Sequence, residues 1–278
     1  MTPSPRSSPP DAGGSGDDSK YHVRAVGRAL EFLDLLGSDT GGGGLSLTEV
    51  ADRVSVSKSA AFATLFTLAE SGFVATTGEG ATKRYRLGPA LIRLGAHARA
   101  QISLSDLARP YLIELTRELH ATSRLAVLES DNVVVIDQVS ASVAHGRDLR
   151  MGSRELLHST GLGKAILSAL PERQVRSMLE VAGLPARTAN TITDPDDLLL
   201  HLRKIAHVGY AIDDEEDAEG VFCIGSPIRD HSGACLGAIS VTGVKLHQPA
   251  AFYRSLGRRV GLSAGTISTA LGYVAKTV

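Results

Sequence analysis

The sequence predicts an α+β protein in two parts, a winged helix-turn-helix followed by a larger domain in which helices flank a mainly antiparallel sheet. Three observations support this prediction: two short amphipathic helices joined by a polar turn, a glycine-tipped hairpin directly after them, and successive strands with helices over the rest of the chain. The 278 residues are enough for two domains, each with its own core.

The helix pair lies within residues 45–88. Apolar residues repeat at helical spacing in the first helix: Leu47, Val50, Ala51 and Val54. Ser46 and Glu49 have the spacing of a capping box at its start. The second helix, after a polar turn at residues 55–57, has its inward stripe at Ala61, Leu65 and Leu68. Gly72 is expected to end it in a left-handed conformation, and the two helices form a helix-turn-helix.

The predicted wing is a hairpin of residues 73–77 and 83–87 around a glycine-rich tip. Arg84 and Arg86 share the strand face opposite Tyr85, so we expect them to point to solvent or to phosphate. The alternative is an ordinary α+β packing unit whose arginines are merely solvated.

Composition restricts the class of protein. Hydrophobic residues make up 43% and charged residues 21%, and the formal net charge is −1, so any attraction to DNA must be local. Cys223 and Cys235 lack the spacing of a zinc site or a disulfide framework, and we expect no metal and no cofactor. No apolar run is long enough to span a bilayer and no signal-type core is present, so we expect a cytoplasmic protein without membrane contact.

The chain divides into four predicted segments. Residues 1–20 are rich in Pro, Ser, Gly and Asp and are expected to be disordered. Residues 21–88 form the winged helix, residues 89–104 a linker helix, and residues 105–278 the second domain. An additional helix is expected to pack behind the helix-turn-helix through an apolar stripe: Val26, Ala29, Leu30, Leu33 and Leu36.

The second domain is predicted from its patterning. The expected helices after the linker are an amphipathic one from residue 107 and four more, at residues 161–170, 172–180, 195–208 and 249–274. The expected strands are residues 123–129, 132–139, 210–212, 221–228 and 234–242.

Seven segments in this order resemble the isocitrate-lyase-regulator (IclR) family of bacterial transcription regulators: KSAAFATLFTLAESGFV, YRLG, LHSTGLGKAIL, NTITDP, GYAIDDEE, GVFCIGSPI and GAISVTG. The resemblance covers about residues 21–274. It implies a winged helix joined by a helix to a GAF-like effector-binding domain, in homodimers or homotetramers on palindromic or repeated double-stranded DNA sites.

The recognition helix departs from the family pattern. Ala60 and Ala63 stand where Thr and Arg are usual, and Ser55 stands where the turn usually has Gly. The predicted DNA-binding residues are Ser57, Lys58, Ser59, Phe62, Ala63, Phe66, Thr67, Lys83, Arg84 and Arg86. The apolar part of this strip has three interpretations: contact with thymine methyl groups, a subunit contact, or local packing.

The candidate effector site begins at a helix start. Free amides at Gly161–Gly163 attract an anion, although a plain helix start is the alternative. Strand alternation also puts Ser240 and Thr242 on one face. The resemblance assigns six residues to the effector pocket: Gly161, Leu162, Asp213, Cys223, Ser240 and Thr242.

Amides and hydroxyls suit a carboxylate, so we expect a small organic acid, with hydroxylated and aromatic acids both open. Asp213 would repel such a ligand unless the side chain is neutral or accepts a proton from a ligand hydroxyl. The alternative is that residues 213–217 form a solvated turn, which suits most of that run better than it suits Asp213.

The leading hypothesis is a transcription regulator, more often a repressor than an activator, whose DNA binding changes with the effector. One alternative is a hydrolase with a cysteine nucleophile, using Cys223, His158 and Asp213. The other is a DNA-binding protein with a degenerate effector pocket.

Overall fold

The computed structural model describes residues 23–39, 42–141, 152–246 and 248–275, without the side chain of Arg99. The predicted disordered tail, residues 1–20, lies outside these ranges. The chain divides into two compact units, residues 1–101 and 102–278.

The first unit is a winged helix-turn-helix. Its elements are α1 (Arg24–Gly37), α2 (Leu47–Arg53), α3 (Lys58–Glu70), β1 (Val74–Thr77), β2 (Arg84–Leu87) and α4 (Pro89–Gln101). Strands β1 and β2 pair antiparallel around a short 3₁₀ turn at Gly80–Thr82. The predicted helix pair and wing are therefore confirmed.

Local signals in the sequence explain the helix-turn-helix. The Ser46 hydroxyl accepts the Glu49 amide and the Glu49 carboxylate accepts the Ser46 amide, so the predicted capping box is present. Ser57 caps α3 by accepting the amide of Ala60. Ser55, where the family usually has glycine, has a φ of 57°, the left-handed conformation that glycine adopts most easily.

The stripe predicted for α1 is wrong in part. Val26 and Leu30 are 57% and 58% exposed, whereas Phe32 and Leu36 are buried. Apolar residues occur around more than one face of this helix, and the large Phe32 ring, at i, i+4 spacing from Leu36, determines which face enters the core.

The second unit contains a six-stranded antiparallel sheet with helices on both faces. Its elements are α5 (Leu104–Leu119), β3 (Thr122–Glu129), β4 (Asn132–Val139), β5 (Arg154–Glu155), α6 (Gly161–Leu167), α7 (Glu172–Ala182), α8 (Pro195–Val208), β6 (Ala211–Asp214), β7 (Val221–Arg229), β8 (Cys235–Val244) and α9 (Ala250–Ala270). The strand order is β5-β4-β3-β8-β7-β6.

The sequence pattern did not predict β5, and it predicted the ends of two helices several residues too far along the chain. Helix α6 stops at Leu167 instead of residue 170, because the amides of Ala169 and Leu170 bond three residues back, to Ile166 and Leu167, in a tighter final turn before Pro171. Helix α9 stops at Ala270 instead of residue 274, and Gly272 follows with a φ of 84°.

Strand alternation separates two cores. Ile239 and Val241 of β8 pack in the core formed with α5 and α9, while Ala238 packs in the core formed with α6, α7 and α8. Ser240 and Thr242 alternate with the α9-side residues and therefore lie on the α6 face. The polar side chains of this face form the candidate effector site.

Candidate DNA-binding surface and effector site

The outer face of α3 carries the predicted recognition strip. Ser59, Phe62, Ala63, Phe66 and Thr67 are all exposed, as the helical spacing predicts. The Phe62 and Phe66 side chains are 48% and 52% exposed, and their ring centroids lie 6.1 Å apart. The helix thus presents an apolar pair between small and hydroxyl-bearing residues.

The basic residues of the wing differ in how they are held. Arg84 Nη1 lies 2.6 Å from Glu49 Oε2, so its charge is already paired within the unit. The Lys83 ammonium lies 5.6 Å from the centre of the Tyr85 ring. Arg86 is exposed and forms no ion pair with the residues the structure describes. Of the two predicted arginines, Arg86 is therefore the one left available for a phosphate.

The start of α6 packs directly against β7. A Cβ on Gly161 would lie 2.8 Å from the Cys223 carbonyl oxygen, and one on Gly225 would lie 2.3 Å from the Gly161 carbonyl oxygen. Thr160 caps the helix by accepting the Gly163 amide at 3.0 Å. In the structure, Gly161 and Gly225 therefore allow the close approach of helix and strand.

A buried arginine, absent from the predicted site residues, contacts two of them. Arg124 is 3% exposed, and its Nη2 donates to Thr242 Oγ1 at 2.9 Å and to Cys223 Sγ at 3.7 Å. Its Nη1 forms an ion pair with Glu155. A charged residue in the interior of the strand TSRLAVLE was the available signal.

Several polar atoms around Arg124 have no hydrogen-bond partner among the described residues. They are Arg124 Nε, Gln138 Oε1, Glu155 Oε2 and Ser240 Oγ, and all four are buried. Gln138 and Ser240 are the register partners of Arg124 on the strands to either side. Because buried polar atoms are normally satisfied, this cluster has the properties of a site that binds a polar molecule.

Asp213 lies beside this cluster, opposite Cys223 in the β6–β7 ladder. Its Oδ1 accepts the amides of Glu216 and Asp217 at 2.8 and 3.3 Å. Burial raises the pKa of Asp213 to about 7, although Lys164 opposes the rise. Asp213 is therefore partly protonated near neutral pH, which reduces its repulsion of an acid.

The solvated-turn interpretation of residues 213–217 is wrong for part of the run. Glu216 and Asp217 are buried, and Glu216 pairs with the fully buried Lys164. Asp214 is exposed and bonds to Lys245.

The residues proposed for a hydrolase do not form a triad. His158 Nε2 bonds to the carbonyl of Pro185, while Cys223 contacts Arg124 and Thr242. Burial raises the pKa of the Cys223 thiol, which disfavours the thiolate that a nucleophile requires.

The described ranges, residues 23–39, 42–141, 152–246 and 248–275, contain neither a metal-binding cluster nor a membrane-spanning helix. Within them, no cluster of three or more His, Cys, Asp or Glu side chains is arranged to hold a metal ion. No helix in these ranges is long and apolar enough to cross a membrane.

Comparisons with known proteins agree with this architecture. The family model for the bacterial transcriptional regulator IclR C-terminal domain matches residues 96–268, and that for the IclR helix-turn-helix domain matches residues 25–78.

The HTH-type transcriptional regulator BhcR of Paracoccus denitrificans is 34% identical over 84% of this chain and 82% of its own length. The acetate operon repressor of Salmonella typhimurium is 31% identical over 80% of each chain. The crystal structure of Thermotoga maritima IclR is 31% identical, has a TM-score of 0.60, and covers 91% of this chain and all of its own. The chain belongs to the IclR family of bacterial transcriptional regulators.

Proposed function

We propose that this regulator represses transcription by binding operator DNA through residues 21–88 and releases it when a small organic acid binds within residues 105–278. Residues 89–104 connect the two activities. The protein acts in the cytoplasm as a homodimer or homotetramer on a palindromic or repeated site. Repression is favoured because relatives such as the acetate operon repressor carry that role in their names.

The observation that carries the effector part of the proposal is the group of buried, unpartnered polar atoms around Arg124. Ser240 and Arg124 supply hydrogen-bond donors on the face that also holds Cys223 and Thr242. A carboxylate satisfies donors of this kind, and Asp213, with its raised pKa, carries less negative charge than an ordinary aspartate.

The DNA part of the proposal rests on an exposed recognition helix beside a basic wing. Arg86 and Lys83 supply charge for phosphates, while α3 offers Phe62 and Phe66 to the major groove. The chain as a whole has a net charge of −1, so this local charge determines affinity.

The experiment is a fluorescence anisotropy titration of DNA from upstream of the protein's own gene, repeated at several salt concentrations. We expect Arg86→Ala to weaken binding and to reduce the slope of log K against log salt by about one for each winged helix bound. We expect a smaller effect from Arg84→Ala, whose charge is paired with Glu49. Arg254→Ala, an exposed arginine of the second unit, is the matched control. Equal losses for Arg86 and Arg254 would contradict a wing–phosphate contact.

A further inference from the structure

The buried ion pair between Arg124 and Glu155 is an unusual arrangement for a strand interior. Arg124 is 3% exposed and the Glu155 side chain 12% exposed. Taking both charges out of water is costly, and removing only one partner leaves the other charge uncompensated. A permanent pair of this kind is weak evidence for stability alone, so its place in the effector site calls for another explanation.

Neither side chain of the Arg124–Glu155 ion pair uses all of its hydrogen-bonding atoms. Arg124 uses Nη1 for Glu155 and Nη2 for Thr242, while its Nε has no partner among the residues described. Glu155 uses Oε1 only, and its Oε2 is buried without a partner there. A guanidinium is best satisfied by a carboxylate that accepts two parallel hydrogen bonds, which Glu155 does not do.

A second donor lies on the neighbouring strand. Ser240 is the direct register partner of Arg124, and its buried hydroxyl is also unpartnered in the described part of the chain. A ligand carboxylate at this position can accept from Arg124 and from Ser240 together. Such a ligand carboxylate satisfies donors on both residues, whereas Glu155 accepts from Arg124 but not from Ser240.

Glu155 also lies at the edge of the sheet, where fewer neighbours hold it than hold Arg124. It belongs to β5, a two-residue strand at the edge of the sheet, which among the described strands pairs with β4 alone, through Val133 and Val134. Two backbone hydrogen bonds, of Val135 with Gly152 and with Ser153, extend this contact. Arg124 lies on β3, which is hydrogen-bonded on both sides. Exchange of one carboxylate for another therefore displaces the edge strand and leaves the centre of the sheet intact.

We infer that Arg124 is the residue that binds the effector's carboxylate, and that Glu155 is a resident carboxylate which the effector replaces. This inference rests on the proposed function, because it assigns a chemical class and a binding residue to that effector site. No covalent bond is made or broken, because one carboxylate replaces another as the partner of the Arg124 guanidinium.

The test is chemical rescue of the full-length Glu155→Ala variant with acetate. This substitution leaves Arg124 without its counterion and opens a space of carboxylate size beside it. We expect acetate to raise the Tm of this variant by several degrees more than equal concentrations of acetamide or sodium chloride. We also expect acetate to bind the variant at least tenfold more tightly than wild type, in which Glu155 competes.

Two variants make the outcome decisive. Arg124→Gln/Glu155→Ala lacks the cation and should show no difference between acetate and acetamide. If Glu155→Ala does not fold without acetate, Glu155→Gln keeps the side-chain volume and is measured in the same way. The inference is overturned if acetate and acetamide act alike on the single variants, or if the double variant responds to acetate as strongly as they do.

Anisotropy of bound DNA in the same samples separates the two claims. Rescue by acetate with unchanged DNA affinity would support carboxylate binding at Arg124 and contradict the proposed coupling. An acid that releases DNA from wild type, without rescue of either Glu155 variant, would support the proposed function and overturn the assignment to Arg124.

Discussion

Replacing Asp213 by Asn should change how the stability of the second unit depends on pH. Asp213 is 3% exposed, and its Oδ1 accepts two backbone amides, from Glu216 and Asp217. Asparagine keeps an oxygen that accepts both bonds and carries no charge. The substitution therefore removes the ionisation while leaving the turn intact.

The magnitude follows from the pKa. Burial raises the pKa of Asp213 to about 7, whereas in the unfolded chain an aspartate titrates near 4. Between these values the folded protein holds a proton that the unfolded chain has released, so the free energy of unfolding falls as pH rises. The free energy of unfolding therefore decreases by at most about 4 kcal/mol, which is three pH units at 1.36 kcal/mol each, and the decrease is complete above pH 7. Asp213→Asn should match wild type near pH 4 and exceed it increasingly up to pH 8.

The assay is urea unfolding of the full chain at fixed protein concentration, followed by far-UV circular dichroism because the chain has no tryptophan. Glu216 and His201 also have shifted pKa values, and Glu216 interacts with Asp213, so the difference between variant and wild type reports residue 213 together with its effect on Glu216. Asp214→Asn is the control: it removes an exposed carboxylate from the same strand, and we expect a change below about 1 kcal/mol. A difference for Asp213→Asn that stays constant from pH 4 to 8, or that shrinks as pH rises, would show that the pKa of Asp213 is not raised in the folded protein.

The remaining predictions concern backbone positions and use the same unfolding assay. Ser55→Gly should raise the free energy of unfolding by about 1 kcal/mol, because glycine adopts the left-handed φ of this position without strain. Ser71 has a right-handed backbone, so an equal gain from Ser71→Gly would contradict this cause. Gly161→Ala should cost about 1–3 kcal/mol because its Cβ meets the backbone of Cys223, whereas Gly265→Ala, with open space in α9, should stabilise by up to about 1 kcal/mol. An unchanged Gly161→Ala protein would show that α6 and β7 can separate without cost.

Much of the fold was predictable because local signals and the global fold agree. The capping box at Ser46, the period of α3 and the glycine-tipped wing each specify their own element. The alternation along β8 also indicated correctly that Ser240 and Thr242 share a face. Strand β5 was not predictable, since two residues carry no detectable periodicity.

The charged part of the candidate site depended on tertiary structure. Arg124 and Glu155 are 31 positions apart in sequence, and only the register of β3, β4 and β5 brings them together. Lys164 and Glu216, 52 positions apart, are a similar case. On α1, apolar residues occur on more than one face, and the packing of Phe32 in the core determines which face is buried.

The central claim is that an organic acid bound in the second unit changes the affinity of the first unit for DNA. The direct measurement is the dissociation constant of the full-length protein for its upstream DNA, at fixed salt, across a panel of small acids each paired with its uncharged amide. Coupling requires different effector affinities in the DNA-bound and free states. We expect at least one acid to raise the dissociation constant fivefold or more at saturation, its amide to leave the constant unchanged, and Arg124→Gln to remove the effect of the acid. If every acid that binds to saturation leaves the dissociation constant unchanged, the two units are not coupled through this site.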